Sequence, residues 1–132
     1  GDAQGPYATI SVLLVEDEAF AQKLALTVLR QIGVRSVVTA KNGQEALAIL
    51  NQPNSRFDLV ISDWNMPEMT GLNLLKKVRE MWPDMPFIML TGKTSADFIL
   101  AAKEHGVNGY VAKPFAPAAL MAKISAVLKI KG

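Results

Sequence analysis

Apolar residues along the chain form short continuous runs, and these runs alternate with longer segments in which apolar residues recur at helical spacing. A continuous run such as Val12–Val15 is typical of a strand that is buried on both faces of a parallel sheet. The second run mixes Arg35, Ser36 and Thr39 with its valines, which places it at the edge of the sheet. The sequence therefore predicts five strands, over Ser11–Val15, Arg35–Ala40, Asp58–Ser62, Phe87–Leu90 and Gly109–Ala112.

The segments between these strands have the apolar periodicity of amphipathic helices. The apolar stripes of the longer helices consist of Ala21, Leu24, Ala25, Val28 and Ile32 in the first, Leu74, Leu75, Val78 and Trp82 in the third, and Leu120, Ile124, Val127 and Leu128 in the last. Shorter helices are predicted over 44–50 and 95–105. Because strands and helices alternate, the sequence predicts one α/β domain, with a doubly wound five-stranded parallel sheet covered by helices on both faces.

Residues with special backbone preferences mark the ends of these helices. Asn42 and Glu45 have the spacing of a capping box, in which Asn42 is the N-cap and Glu45 reaches back to its amide. Further boundary signals are Thr94 with Asp97 as a second capping pair, Pro117 in a first helical turn, and Gly33 and Gly106 as left-handed C-caps.

The length of 132 residues suits one domain with a proper core. The opening segment Gly1–Pro6 has no strand or helix pattern and resembles a vector remnant or a trimmed end. We therefore expect residues 1–8 to be a remnant or a disordered end, and residues 9–132 to form the domain.

Composition and charge exclude several classes of protein. The chain has no cysteine for a disulfide, and its single histidine, His105, rules out a multi-histidine metal site. The apolar runs are far too short to cross a bilayer and no signal-peptide pattern is present, so we expect a cytoplasmic protein without membrane contact. The net charge of +2 is spread over dispersed cations, with no run longer than Lys76-Lys77, so we expect no direct nucleic-acid contact. We also expect a monomer.

Polar side chains follow four of the predicted strands at the points where those strands end. Glu16 and Asp17 follow the first strand, Asp63 the third, Thr91 the fourth and Lys113 the fifth. In an open parallel sheet, ligands bind at the carboxyl ends of the strands. These side chains are therefore expected to converge on one site.

The residue types at this edge are those that phosphoryl transfer to a carboxylate requires. Crowded carboxylates repel one another unless a cation intervenes, and Mg²⁺ prefers hard oxygen ligands. Lys113 would add a compact positive charge facing phosphoryl oxygens, and Thr91 would donate a hydroxyl hydrogen. Asp63 is then the expected attacking group, in a site that uses Mg²⁺ as its cofactor.

Two extended segments and the acidic pair Glu16-Asp17 resemble a known family. The segments are Ser62–Leu72, with the sequence SDWNMPEMTGL, and Gly109–Phe115, with the sequence GYVAKPF. Together they are similar to the receiver domain of two-component response regulators, and within that family to the single-domain chemotaxis regulators of the CheY type. The resemblance covers nearly everything from Ser11 onward and implies a flavodoxin-like sheet with strand order 2-1-3-4-5.

The resemblance implies a role for each residue of the metal and phosphoryl site. Asp63 would accept a phosphoryl group from a histidine kinase or a phosphotransfer domain. Glu16 and Asp17 would hold Mg²⁺ directly or through water, together with Asp63 and the backbone carbonyl of Asn65. Lys113 would contact the phosphoryl group, and hydrolysis would later reset the domain, which is thus a switch that assists its own chemistry and not an enzyme.

The resemblance also implies how the signal leaves the site. Thr91 would move toward the phosphoryl group, and the ring of Tyr110 would turn inward as an aromatic switch. A downstream protein would then bind the surface of the fourth helix, fifth strand and fifth helix. The peptide bond Lys113-Pro114 would be cis. Glu18 and Lys93 depart from the chemotaxis pattern, which has an apolar residue and an acid at these positions, so no phosphate lifetime is implied. The surface of the fourth helix, fifth strand and fifth helix also differs from that pattern, so a flagellar-motor partner is not implied.

Other interpretations of the same residues remain open. The domain could be a constitutive interaction module that keeps the fold without phosphorylation. A flavodoxin-like FMN site is disfavoured, because the carboxylates after the first strand would repel the FMN phosphate. Glu18 is read as a solvated helix start, Trp64 as packing at the rim of the site, and His105 as a surface residue near a helix end.

Overall fold

The computed structural model describes residues 5–66, 68–92 and 96–130, and within them five strands alternate with five helices. The strands are β1 (Ser11–Val15), β2 (Ser36–Ala40), β3 (Leu59–Asp63), β4 (Phe87–Thr91) and β5 (Gly109–Ala112). The helices are α1 (Ala19–Gln31), α2 (Gly43–Leu50), α3 (Gly71–Met81), α4 (Ala96–Glu104) and α5 (Pro117–Leu128). The strands form one parallel sheet in the order β2-β1-β3-β4-β5, which confirms the expected fold class.

Strand β2 lies at the edge of the sheet, as its mixed composition predicted. Its residues alternate between more and less exposed positions, whereas every residue of β3 and β4 is buried. Strands β3 and β4 each extend one residue beyond the predicted end, because Asp63 still pairs with Leu90 and Thr91 with Ala112 in the parallel register. Asp63 and Thr91 are therefore held by the sheet itself.

Two hydrophobic clusters cover the two faces of the sheet. Successive residues of a strand point to opposite faces, so Leu13 belongs to one cluster and Leu14 to the other. The first cluster includes buried residues of α2 and α3, and the second includes Leu29 of α1 and Leu120 of α5. Each large aliphatic side chain that is fully buried contributes about 2 kcal/mol to the free energy of unfolding. The helices are thus fixed on a rigid sheet whose carboxyl edge carries the candidate site.

Tyr7 corrects the expected domain boundary. Its side chain is only 5% exposed and belongs to the same cluster as Leu29. A Cβ atom placed on Gly33, in the turn after α1, would lie 3.7 Å from the Cβ of Tyr7. The expectation that residues 1–8 lie outside the fold is therefore wrong for Tyr7, whose aromatic ring completes the core beside α1. Residues 1–4 lie outside the described residues.

Most predicted helix boundaries are confirmed. The Asn42 side chain accepts a hydrogen bond of 2.8 Å from the amide of Glu45, but Glu45 in turn accepts from the amide of Lys41 and not from that of Asn42. Pro117 begins α5, and Gly33 and Gly106 have φ angles of 105° and 87°. Thr94 and Lys93 lie outside the described residues, so the second capping pair stays a prediction. Among the described residues, no helix has the length and apolar character that crossing a membrane would require.

Candidate functional site

Backbone hydrogen bonds carry the sheet pairing past the ends of the strands and so position the site. The amide of Glu16, directly after β1, donates to the carbonyl of Ala40 at 3.0 Å. The amide of Lys113, directly after β5, donates to the carbonyl of Thr91 at 2.8 Å. Asp63 is the last residue of β3. Three side chains that are far apart in the sequence therefore begin from rigid backbone at one edge of the sheet.

Lys113 joins two of the predicted acids. Its Nζ lies 2.8 Å from Oδ1 of Asp63 and 3.0 Å from Oε1 of Glu16. Both carboxylates are buried, whereas 28% of the lysine side chain is exposed. The ammonium therefore partly neutralises two buried negative charges while it remains accessible from solvent.

Asp17 completes a cluster of three carboxylates with Glu16 and Asp63. One oxygen of each residue lies within 4.8 Å of the others, and Asp17 is the exposed member. The single ammonium of Lys113 cannot balance three ionised carboxylates, so the site retains negative charge toward solvent. An all-oxygen donor set with one open side fits a hard divalent cation that keeps several of its waters, as Mg²⁺ does.

The pKa values of Glu16 and Lys113 are both raised, but for different reasons. Burial raises the pKa of the Glu16 carboxyl above its usual 4.5, and the charge of Asp63 raises it further, while the hydrogen bond from Lys113 offsets only part of the effect. For Lys113, burial acts to lower the pKa, but the hydrogen bonds to Asp63 and Glu16 outweigh it and raise the pKa. Lys113 is therefore held in its charged form.

The loop between β1 and α1 is fixed around Glu16. Its Oε2 accepts a hydrogen bond from the amide of Glu18 at 3.3 Å, so both carboxylate oxygens have partners. Gln22 of α1 donates from Nε2 to the carbonyl of Glu16 at 3.1 Å. The role of Gln22 was not predicted, because a glutamine on a helix carries no sequence signal for a contact with the preceding strand end. The Glu18 side chain is exposed at the start of α1, as expected.

Gly71 permits a close approach of α3 to the backbone of Asp63. A Cβ atom at position 71 would overlap the carbonyl oxygen of Asp63 and would lie 2.8 Å from Sδ of Met89. The amide of Gly71 donates to the carbonyl of Trp64 at 2.8 Å, which closes the loop that follows Asp63. Sequence reasoning missed this role, although a glycine at a helix start shortly after a candidate nucleophile is a usable signal.

The other predicted residues lie around this centre. Thr91 is 2% exposed at the end of β4, next to β5 in the sheet. Tyr110 is half-buried on β5, with Nζ of Lys123 5.8 Å from the centre of its ring. Asn65 is exposed in the loop after Asp63, and the metal role of its carbonyl stays a prediction. The bond between Lys113 and Pro114 is cis, as the resemblance implied.

Trp64 is buried at the rim of the site, which confirms its interpretation as a packing residue. Its ring meets Phe98 of α4 edge to face, with the ring centres 5.4 Å apart and an angle of 88° between the planes. Phe98 was not among the predicted site residues, because the contact joins two elements whose packing is not encoded in local periodicity.

Comparison with known proteins agrees with this geometry. The family model for the response regulator receiver domain matches residues 12–125. The chemotaxis protein CheY of Pseudomonas aeruginosa is 37% identical to this chain over 122 residues, which cover 91% of this chain and 97% of that protein. A chemotaxis protein CheY homolog of Campylobacter jejuni is 38% identical over 121 residues, which cover 90% of this chain and 92% of that protein.

Solved structures show the same similarity. The chemotaxis protein CheY4 of Vibrio cholerae superimposes with a TM-score of 0.83 at 37% identity, over 92% of this chain and all of that one. A CheY-like receiver domain protein of Methanospirillum hungatei gives a TM-score of 0.82 at 30% identity, over 92% of this chain and 95% of that one. The likeness therefore extends over nearly the whole chain, in sequence and in fold.

Proposed function

The chain belongs to the family of response regulator receiver domains, and on this premise we propose that Asp63 accepts a phosphoryl group whose presence switches the domain between two signalling states. The observation that carries the proposal is the bridge from Lys113 to Asp63 and Glu16, with the oxygen of Asp17 nearby. This arrangement combines a buried carboxylate nucleophile, a fixed ammonium and the ligands for a cation.

The proposed reaction moves a phosphoryl group from a phosphohistidine of a histidine kinase or a phosphotransfer domain to Asp63. A carboxylate oxygen of Asp63 attacks the phosphorus and forms an oxygen–phosphorus bond. The nitrogen–phosphorus bond of the donor breaks, and its electron pair leaves on the imidazole. A carboxylate nucleophile carries no proton, so the transfer needs no general base.

The residues around Asp63 supply charge and orientation. Lys113 already contacts Oδ1 of Asp63, so its ammonium is next to the oxygens of the transferred group. Thr91 ends β4, the strand next to β3, and would donate its hydroxyl hydrogen to one of these oxygens. Glu16, Asp17 and Asp63 would hold Mg²⁺, with the carbonyl of Asn65 as a further ligand. The bound ion would supply positive charge beside the phosphoryl oxygens.

The switch is reset when water hydrolyses the acyl phosphate, which regenerates Asp63 and releases inorganic phosphate. We assign the output to a protein that binds the surface of α4, β5 and α5 after Thr91 and Tyr110 change position. The chemotaxis names of the relatives make a chemotaxis protein the first candidate for that partner. The same proposal places the domain in the cytoplasm as a monomeric signalling switch, not as an enzyme with an external substrate.

A phosphorylation assay with acetyl phosphate tests this function. With Mg²⁺, the intact mass should increase by one phosphoryl group, and chelation of the metal should prevent the increase. Asp63→Asn should abolish labelling, whereas Asp84→Asn, an exposed acid in the loop before β4, should label like the parent protein.

A parent protein that does not label, or labelling that survives Asp63→Asn, would contradict the proposal. If the parent protein does not label and binds no Mg²⁺, while partner binding is unchanged in Asp63→Ala, the domain is a constitutive interaction module instead.

A further inference from the structure

We propose that Phe98 is the residue through which α4 senses the phosphorylation state of Asp63, by direct contact of its ring with Trp64. This inference rests on the proposed phosphorylation of Asp63. It assigns a second route by which a change at Asp63 reaches the surface of α4, β5 and α5. This route begins at the end of β3 and does not pass through Thr91 and Tyr110.

The indole of Trp64 is tied closely to Asp63. Trp64 is the next residue in the chain, its amide donates to the carbonyl of Leu90 at 3.0 Å, and its carbonyl accepts from the amide of Gly71. Its side chain is only 6% exposed within the cluster on that face of the sheet. A change in the position of the Asp63 backbone is therefore transmitted to the Trp64 ring.

Phe98 is the residue of α4 whose ring contacts the Trp64 ring, so a displacement of Trp64 acts on α4 through Phe98. The two rings meet edge to face, which is a preferred geometry of aromatic pairs. Phe98 lies one helical turn before Ala102, so both residues are on the same stripe of the helix. Ala102 is the one fully buried residue among those described for α4. The side chain of Phe98 is 36% exposed, so its edge-to-face contact with Trp64 lies at the margin of the core, one turn from the buried Ala102.

The opposite end of α4 is fixed. The guanidinium of Arg79 donates to the carbonyl of Gly106 from Nε at 3.0 Å and from Nη2 at 2.8 Å, and to Oδ1 of Asn108 at 2.6 Å. These bonds hold the turn that follows α4. A change at Trp64 is therefore expected to move the end of the helix that carries Phe98, because that end lies away from the Arg79 contacts.

A helix with so little buried surface has low local stability, so a modest contact changes its opening equilibrium measurably. An edge-to-face aromatic pair contributes a factor of about two to ten to such an equilibrium. Coupling between sites is reciprocal. Modification of Asp63 should therefore change the opening equilibrium of α4, and a partner that binds α4 should change the position of the Trp64 ring.

The test compares Phe98→Leu with Phe98→Tyr and Leu100→Ala. Phe98→Tyr retains the ring, and Leu100 is a 56% exposed residue of the same helix that serves as the control. Amide hydrogen exchange in residues 96–104 is measured before and after treatment with Mg²⁺ and acetyl phosphate. We expect the change caused by phosphorylation to be about two- to tenfold smaller in Phe98→Leu than in the parent protein, and to be retained in Phe98→Tyr and Leu100→Ala.

A second readout separates coupling from a general loss of structure. The chain has two tryptophans, so a Trp82→Phe background leaves Trp64 as the single emitter. Phe98→Leu should weaken the change in Trp64 emission on phosphorylation, while the urea midpoint and the extent of Asp63 labelling stay near those of the background.

An unchanged exchange response in Phe98→Leu, with normal labelling, would overturn the inference and leave the proposed function intact. Absence of labelling in the parent protein would instead overturn the proposed function.

Discussion

The ammonium of Lys113 lies 2.8 Å from Oδ1 of Asp63, so the residue after β5 and the last residue of β3 are joined across the end of the strand between them. The same ammonium reaches Glu16 beyond β1. One side chain thus links the ends of three strands. It balances the repulsion that the carboxylates would otherwise exert on one another.

Replacement of Lys113 by Met should destabilise the domain. A buried ion pair that loses one partner costs about 3–5 kcal/mol, but Lys113 is partly exposed, so we expect a loss of about 1–2 kcal/mol in urea unfolding. Its folded pKa is raised above 10.5, so its stabilisation is complete below pH 10.5 and is lost as the pH rises through the folded pKa. The difference in free energy of unfolding between Lys113→Met and the parent protein should therefore become smaller as the pH rises above 10.5. A difference that becomes larger there would contradict the assignment.

Replacement of Glu16 by Gln should show a pH dependence of the same sign in metal-free buffer, but at a lower pH. The folded pKa of Glu16 is raised, chiefly by burial, so its contribution to stability is full below about pH 4.5 and is lost as the pH rises through the folded value. The stability of Glu16→Gln relative to the parent protein should therefore increase between about pH 4 and pH 7. Urea unfolding at both values with a chelator present checks this, and a relative decrease would refute it.

Mg²⁺ should stabilise the domain by mass action, and Asp17 should be required for the effect. A ligand present at 100 times its Kd adds about 2.7 kcal/mol to the free energy of unfolding. Asp17 is exposed, so Asp17→Asn should leave the metal-free stability nearly unchanged while it weakens the Mg²⁺-dependent increase. Thermal unfolding across a Mg²⁺ titration measures both quantities. An Asp17→Asn protein with the full increase would exclude Asp17 as a ligand.

Replacement of Gly71 by Ala should destabilise the protein, because the added methyl group would overlap the carbonyl oxygen of Asp63 and crowd Met89. We expect a cost of about 1–3 kcal/mol, the usual range for overpacking. Gly92→Ala is the matched control, since a Cβ atom there has no neighbour within 4 Å among the described residues. Chemical denaturation of the two variants should separate them clearly. Equal stabilities would mean that α3 does not need this close approach.

The sheet and the centre of the site could be predicted from the sequence because both depend on local patterns. Continuous apolar runs identify strands, and the residues that follow parallel strands must meet at one edge of the sheet. The sequence therefore predicted that Asp63 and Lys113 lie close together, as they do. The contacts of Gln22 and Phe98 depend on how helices pack over that edge. Nothing in hydrophobic periodicity specifies which polar or aromatic side chain on a helix will face the sheet.

The position of Tyr7 has a practical consequence for protein engineering. A fusion or truncation that begins at residue 9 would remove an aromatic side chain from the core and leave a cavity, and loss of a large buried aromatic typically costs about 3–5 kcal/mol. For a small domain, that is a substantial part of the whole stability. Biosensors or chimeras made from this receiver should therefore place their junction upstream of Tyr7.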